Sequence, residues 1–145
     1  MRAGELKHKK QALAKRTMLI ICISLPVLAI LGFLISGPIR NHNKAQSDTT
    51  VLLQALSAYA TEQGDLPHGS YATICQLLRG KSVESQNTKR LEYIETEGIE
   101  TNAKGEIIDP WGNPYRISFD KKLKVYSCGP NGHDEQGAGD DIVAQ

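Results

Sequence analysis

The feature that most constrains this chain is an uncharged, largely aliphatic stretch at residues 17–39. About twenty apolar residues in a helix span the ~30 Å hydrocarbon core of a bilayer. The alternatives are a buried helix of a soluble protein and a cleaved signal peptide. The stretch is longer than the ~7–15 apolar residues of a typical signal-peptide core, and Ser36-Gly37-Pro38 is a poor cleavage site. The sequence therefore predicts an uncleaved transmembrane helix.

The distribution of charge predicts the orientation of that helix. Residues 1–16 carry six Lys and Arg against one Glu, whereas the remainder of the chain is net acidic. Basic flanks stay in the cytoplasm. We therefore expect a basic cytoplasmic tail at residues 1–16, a transmembrane helix at residues 17–39 and an exoplasmic domain at residues 40–145. Basic residues confined to the start do not indicate nucleic-acid binding.

Helical periodicity returns after Gly37-Pro38, a pair that predicts a kink or break. The repeating positions form one apolar stripe of an amphipathic helix that ends before Gly64: Ala45, Thr49, Leu52, Leu56 and Tyr59. A shorter helix is expected from Tyr71 to Leu78, and Asn87 is a candidate helix cap.

The last third of the chain predicts strands rather than helices. Apolar residues alternate around Ile117 and again around Val125, and Ile142-Val143 could add a final short strand. Turn residues lie between these segments. The expected fold class is α+β: one long N-terminal helix, transmembrane at its start, packed on a small antiparallel β-sheet.

A glycine-rich acidic segment, residues 127–141, precedes the last strand. It contains one asparagine and four acids, Asn131, Asp134, Glu135, Asp140 and Asp141, as candidate oxygen ligands. Glycines permit tight turns, and flexible sites made only of oxygen ligands suit Ca²⁺. The spacing does not match an EF-hand. The alternatives are a calcium-binding loop and a solvated acidic tail.

The remaining reactive residues do not suggest an enzyme. His42, His68 and His133 are isolated, no nucleophile has a base beside it in sequence, and no phosphate-binding loop is present. Cys75 and Cys128 would both be exported, where a disulfide is permitted. They could pair, or be two unrelated small hydrophobic residues.

Three segments near the C-terminus resemble a known family. In order they are DPWGNPYRI (109–117), VYSCGPNG (125–132) and DDI (140–142), and they look like the C-terminal domain of the major, G-type pseudopilin of type II secretion. The stretch LLQALSAYATEQGDLP (52–67) is similar to the end of the long helix of that family. The resemblance implies a pilin-like fold with a structural role and Trp111 as a structural anchor.

The same resemblance implies a set of metal ligands. Asp140 and Asp141 match the closing aspartate pair of the family's calcium loop, and the carbonyl of Cys128 matches its main-chain ligand. Asn131 stands where the family has an acid, so one negative charge is lost, and Asp134 could compensate. The expected cofactor is therefore Ca²⁺, held by Cys128, Asn131, Asp134, Asp140 and Asp141.

The function implied is that of a membrane-anchored pseudopilin-like structural subunit or accessory protein of a type II secretion or type IV pilus-like system. It would be a single-pass protein of the bacterial inner membrane with a periplasmic domain. Its expected partners are the membrane and other pseudopilins or inner-membrane components, with no nucleic acid and no small-molecule substrate. Residues 15–19 lack the glycine and first-turn glutamate of prepilins. The alternative is a non-assembling, membrane-tethered binding module with the same fold.

Overall fold

A computed structural model describes residues 36–95, 97–119 and 122–144. The first helix, α1, covers residues 36–63 and ends at Gly64, as the sequence predicts. Gly37 and Pro38 themselves are helical, so the predicted break does not occur within the described residues. Within the described residues, no helix is long and apolar enough to cross a membrane. The predicted cytoplasmic tail, and the predicted anchor up to residue 35, lie outside them.

The apolar stripe predicted for α1 is its buried face. Ala45, Thr49, Leu52, Leu56 and Tyr59 are all buried, and Ala55 joins them. Thr49 can lie in this face because its hydroxyl donates to the carbonyl of Gln46 at 2.9 Å, which satisfies the buried oxygen. The stripe is therefore part of the core of the compact unit Arg40–Gln145.

The second helix, α2, spans Tyr71–Leu78, the range that the sequence predicts. Ser70 is its N-cap, and its side chain accepts a hydrogen bond from the amide of Thr73 at 3.2 Å. Such a cap satisfies one of the amides left without a partner in the first turn. The apolar face of α2 is buried and consists of Ile74, Cys75, Leu77 and Leu78.

The segment after α2 is irregular and is organised by a buried asparagine. Asn87 is 1% exposed. Its amide nitrogen donates to the carbonyls of Leu77, at 3.0 Å, and Leu91, at 2.8 Å, and its oxygen accepts from the amide of Leu91 at 2.9 Å. The interpretation of Asn87 as a helix cap is wrong, because no helix follows it in the part of the chain that the structure describes. Its side chain instead joins the end of α2 to the next segment.

Three short strands form the sheet: β1, Arg116–Ser118; β2, Lys124–Ser127; and β3, Ile142–Val143. Their order is β1-β2-β3 and both pairings are antiparallel. Arg116 lies opposite Tyr126, and Ser127 lies opposite Ile142. The central strand β2 therefore leads directly into the acidic loop, and β3 returns from it.

One hydrophobic core joins the stripe of α1 to α2, Tyr115 and Val125. Hydrogen bonds connect α1 to the sheet region: the Tyr115 hydroxyl donates to Asp48 at 2.9 Å, and the Gln46 side chain donates to the carbonyl of Val143 at 2.8 Å. The predicted α+β class, with a helix and a small antiparallel sheet, is confirmed. The position of the loop is thereby tied to the core through β2 and β3.

Candidate functional site

The loop at residues 128–141, called the closing loop from here on, begins on a buried polar anchor. Ser127 is fully buried and donates a hydrogen bond of 2.6 Å to Oδ2 of Asp109. The Ser127 hydroxyl also accepts from the amide of Gly129 at 3.0 Å. A buried carboxylate needs such donors, because leaving it without them costs several kcal/mol. The start of the loop is therefore held by a side chain from a distant turn.

That turn is the proline-tryptophan-glycine segment. Oδ1 of Asp109 accepts from the amides of Trp111, at 3.0 Å, and Asn113, at 2.9 Å. This pattern is an Asx-type turn. Trp111 is half-buried, and its expected role as a structural anchor stays a prediction. Asp109 and Tyr115 in the same segment are buried.

The two ends of the closing loop meet at Gly129 and Asp140. Gly129 has φ of +63°, and a Cβ at this position would overlap the carbonyl oxygen of Asp140. Asn131 lies against the same aspartate: its amide nitrogen donates to Oδ1, and its backbone amide donates to Oδ2 at 3.2 Å. The structure thus brings together Asn131 and Asp140, two of the predicted ligands.

Asp141 has one satisfied and one unsatisfied carboxylate oxygen. Its Oδ2 accepts from the backbone amides of Glu135, at 3.1 Å, and Gly137, at 2.7 Å. Its Oδ1 is buried and has no hydrogen-bond partner among the described residues. Buried polar atoms without a partner are rare in folded proteins.

The other two acids of the loop serve different contacts. Asp134 accepts from the Tyr126 hydroxyl at 2.9 Å and lies 3.5 Å from Nε of Arg116. Glu135 accepts from the backbone amide of Asp140 at 3.0 Å. Asp134 therefore faces the strands, whereas Glu135 supports the closing pair from within the loop.

Cys75 and Cys128 are free and buried, which agrees with their interpretation as separate small hydrophobic residues. Burial raises the pKa of the Cys128 thiol, and the neighbouring Arg116 guanidinium opposes that shift. Burial also raises the pKa of the Cys75 thiol. Both thiols are consequently protonated at neutral pH.

Within the described residues, no three His, Cys, Asp or Glu side chains form a group that could hold a metal ion. The predicted calcium ligands also include the amide of Asn131 and the main-chain carbonyl of Cys128. Calcium binding by this loop stays a prediction.

The sequence patterns did not identify several residues that position this loop. Asp109 carried a local signal, because an aspartate before Pro-Trp-Gly favours a turn. Three contacts join positions that are far apart in the sequence: Asp109 with Ser127, Arg116 with Asp134, and Gln46 with Val143. No periodicity or spacing in the sequence predicts these contacts.

A known protein family matches the chain over nearly all of the fold described above. The model of the family described as type II secretion system (T2SS), protein G, matches residues 39–145. The chain belongs to this family. The resemblance of the three C-terminal motifs is therefore confirmed. No curated protein and no solved structure matches the chain.

Membership in the protein G family supports a role as a subunit in type II secretion. Members of this family are structural components of the secretion system rather than enzymes. Pseudopilins of this system are membrane-associated. The match includes α1 from residue 39 onward, the sheet and the whole closing loop.

Proposed function

We propose that this protein is a membrane-anchored, pseudopilin-like structural subunit or accessory protein of a type II secretion or type IV pilus-like system, with a closing loop stabilised by calcium. The observation that carries the proposal is the family match over residues 39–145. It includes both the helix and the closing loop.

The uncharged stretch at residues 17–39 supports the anchor, with residues 1–16 in the cytoplasm and the domain in the periplasm. A subunit held in this way presents residues 40–145 to other pseudopilins or to inner-membrane components. The chain then acts by assembly rather than by chemistry. No small-molecule substrate or nucleic acid is part of the proposal.

The donor chemistry of the closing loop supports calcium. Asp140, Asp141, Asn131 and the Cys128 carbonyl would supply oxygen ligands only, which is the type that Ca²⁺ prefers. The buried Oδ1 of Asp141 lacks a hydrogen-bond partner. Bound calcium would supply positive charge to offset the repulsion between the adjacent carboxylates. For Asn131 to bind through oxygen, its amide would turn, because its nitrogen now faces Asp140.

A tethered binding module that does not assemble is the second candidate. The residues around Lys15 and Thr17, at the start of the apolar stretch, lack the glycine and the first-turn glutamate of prepilins. Without that glutamate, the chain lacks the contact with the N-terminal amino group of the neighbouring subunit that fixes the register between subunits. In this alternative the helix serves as a tether alone.

Co-purification from membranes distinguishes the two candidates. The tagged full chain is expressed in a bacterium that carries a type II secretion system, and proteins from detergent-solubilised membranes are identified by mass spectrometry. The matched control is the same tag on residues 1–39. We expect other pseudopilins or inner-membrane secretion components with the full chain and not with the control. A carbonate-resistant chain that recovers none of them supports the tether instead, and a chain released by carbonate contradicts the anchor.

A further inference from the structure

Asp134 lies at the centre of a contact between the closing loop and the sheet. Its Oδ1 accepts a 2.9 Å hydrogen bond from the hydroxyl of Tyr126 on β2. Its Oδ2 lies 3.5 Å from Nε of Arg116 on β1. Both carboxylate oxygens are therefore engaged by side chains from outside the loop.

The register of the sheet explains why these two side chains converge. Arg116 and Tyr126 are directly opposite each other in the β1-β2 pair. Residues opposite each other in an antiparallel pair project from the same face of the sheet. A guanidinium and a phenol hydroxyl are thus presented together, and one carboxylate can bind both.

Asp134 also orders its own segment of the loop. Its Oδ1 accepts from the backbone amide of Gln136 at 3.0 Å, and Gln136 has a positive φ of 60°. Such a conformation is uncommon for a residue other than glycine. The hydrogen bond to Asp134 offsets part of its cost.

We propose that Asp134 is a positioning residue, not a ligand of the cation. Together, Arg116, Tyr126 and Asp134 form a clamp that fastens the middle of the closing loop to the sheet with or without calcium. This inference rests on the proposed calcium loop. It divides the loop into a metal-independent half at Asp134 and a metal-dependent half at Asn131, Asp140 and Asp141.

The charges favour this division. Asp134 is paired with Arg116, so its negative charge is already offset. The ion pair itself is half exposed, with side-chain exposures of 50% and 42%, and contributes little alone. Tyr126 is only 6% exposed, so its hydrogen bond is the better shielded part of the clamp. The closing pair Asp140 and Asp141 has no comparable basic partner among the ion pairs of the described residues.

The first test measures the melting temperature of the purified full-length protein in EDTA and in calcium. The variants are Asp134→Ala, Tyr126→Phe and, as the contrasting ligand variant, Asp140→Asn. We expect the two clamp variants to melt at least about 4 °C lower in both conditions and to keep the wild-type rise with calcium. Asp140→Asn should lose most of that rise. Loss of the rise in Asp134→Ala, with its retention in Tyr126→Phe, would make Asp134 a ligand and overturn the proposal.

A second test works even if calcium does not bind. In EDTA, Tyr126→Phe, Asp134→Ala and the double variant form a double-mutant cycle, and hydrogen exchange is followed at the Gln136 amide. We expect non-additive melting shifts and about tenfold faster exchange at Gln136 in Asp134→Ala. Additive shifts with unchanged exchange would overturn the clamp. Indifference of the wild-type protein to calcium, with the cycle still coupled, would refute the calcium loop and leave the clamp in place.

Discussion

Ser127 donates a 2.6 Å hydrogen bond to Asp109, and both side chains are buried. The two residues join the turn before β1 to the end of β2. Because Asp109 also holds the amides of Trp111 and Asn113, one carboxylate sets both the turn and the start of the closing loop. The family motif around Pro-Trp-Gly and the motif that begins in β2 are therefore in direct contact through Asp109 and Ser127.

Replacing Ser127 by alanine should destabilise the fold although only one oxygen is removed. Oδ2 of Asp109 would remain buried without its donor, at a cost of about 2 kcal/mol. Denaturant unfolding of the full-length protein measures this loss. The control is Ser57→Ala, because the Ser57 hydroxyl is exposed and bonds only within α1. Equal stability of the two variants would contradict a structural role for the Ser127 hydroxyl.

Gly129 and Gly112 provide a matched pair of variants that tests the close approach of Gly129 to Asp140. Both have positive φ, +63° and +89°, but a Cβ on Gly112 would meet nothing within 4 Å, whereas one on Gly129 would overlap the carbonyl of Asp140. Gly112→Ala should cost about 1–2 kcal/mol from its backbone conformation. Gly129→Ala should cost about 2 kcal/mol more, because backbone atoms must move. Similar free energies of unfolding for the two variants would contradict the close approach.

Asn87 should be among the most sensitive positions outside the closing loop. Asn87→Ala removes the partners of two carbonyls and one amide, and we expect a loss of about 3 kcal/mol. Its φ is +47°, so Asn87→Gly is the control that relieves backbone strain without restoring the hydrogen bonds. Thermal unfolding should find both variants destabilised. Wild-type stability of Asn87→Gly would assign the effect to the backbone instead.

Stability should fall at alkaline pH because buried tyrosines resist ionisation. Burial, and then the nearby Asp48 carboxylate, raise the pKa of Tyr115. The unfolded phenol has a pKa near 10, so this contribution is complete below about pH 10 and is lost as the pH rises further. Denaturant unfolding between pH 8 and 11 should show a shallower decline for Tyr115→Phe, by up to about 1.4 kcal/mol per pH unit. Parallel declines would contradict the raised pKa.

The sequence predicted those parts of the fold that depend on local patterns. The stripe of α1, the bounds of α2 and the strands around Ile117 and Val125 all follow from spacing between near neighbours, and all are confirmed. Asn87 was misinterpreted because its partners include Leu77, on the preceding helix. A cap signal is local, but a buried side chain that joins two segments has no local signature.

The closing loop shows the same limit. Glycine content and family resemblance placed Asn131 and Asp140 in one loop, and the structure finds them in contact. Neither observation could assign Asp134, because an acid in a loop gives no sign of which base it will meet. Arg116 reaches it only because β1 and β2 bring position 116 opposite position 126. Contacts that arise from strand register need the assembled sheet.

The response to calcium tests the metal-dependent half of the closing loop, at Asn131, Asp140 and Asp141. A ligand that binds only the folded state stabilises it by about 2.7 kcal/mol at a concentration ~100 times its Kd. Calcium should therefore raise the melting temperature of the full-length protein, and chelation should reverse the rise. Asp140→Asn combined with Asp141→Asn should abolish the difference, since it removes both charged ligands. Glu135→Gln is the control, because it removes a neighbouring charge but keeps an oxygen for the amide of Asp140, and the rise should persist. A wild-type protein whose melting is indifferent to millimolar calcium would mean that the buried Oδ1 of Asp141 is not a calcium ligand.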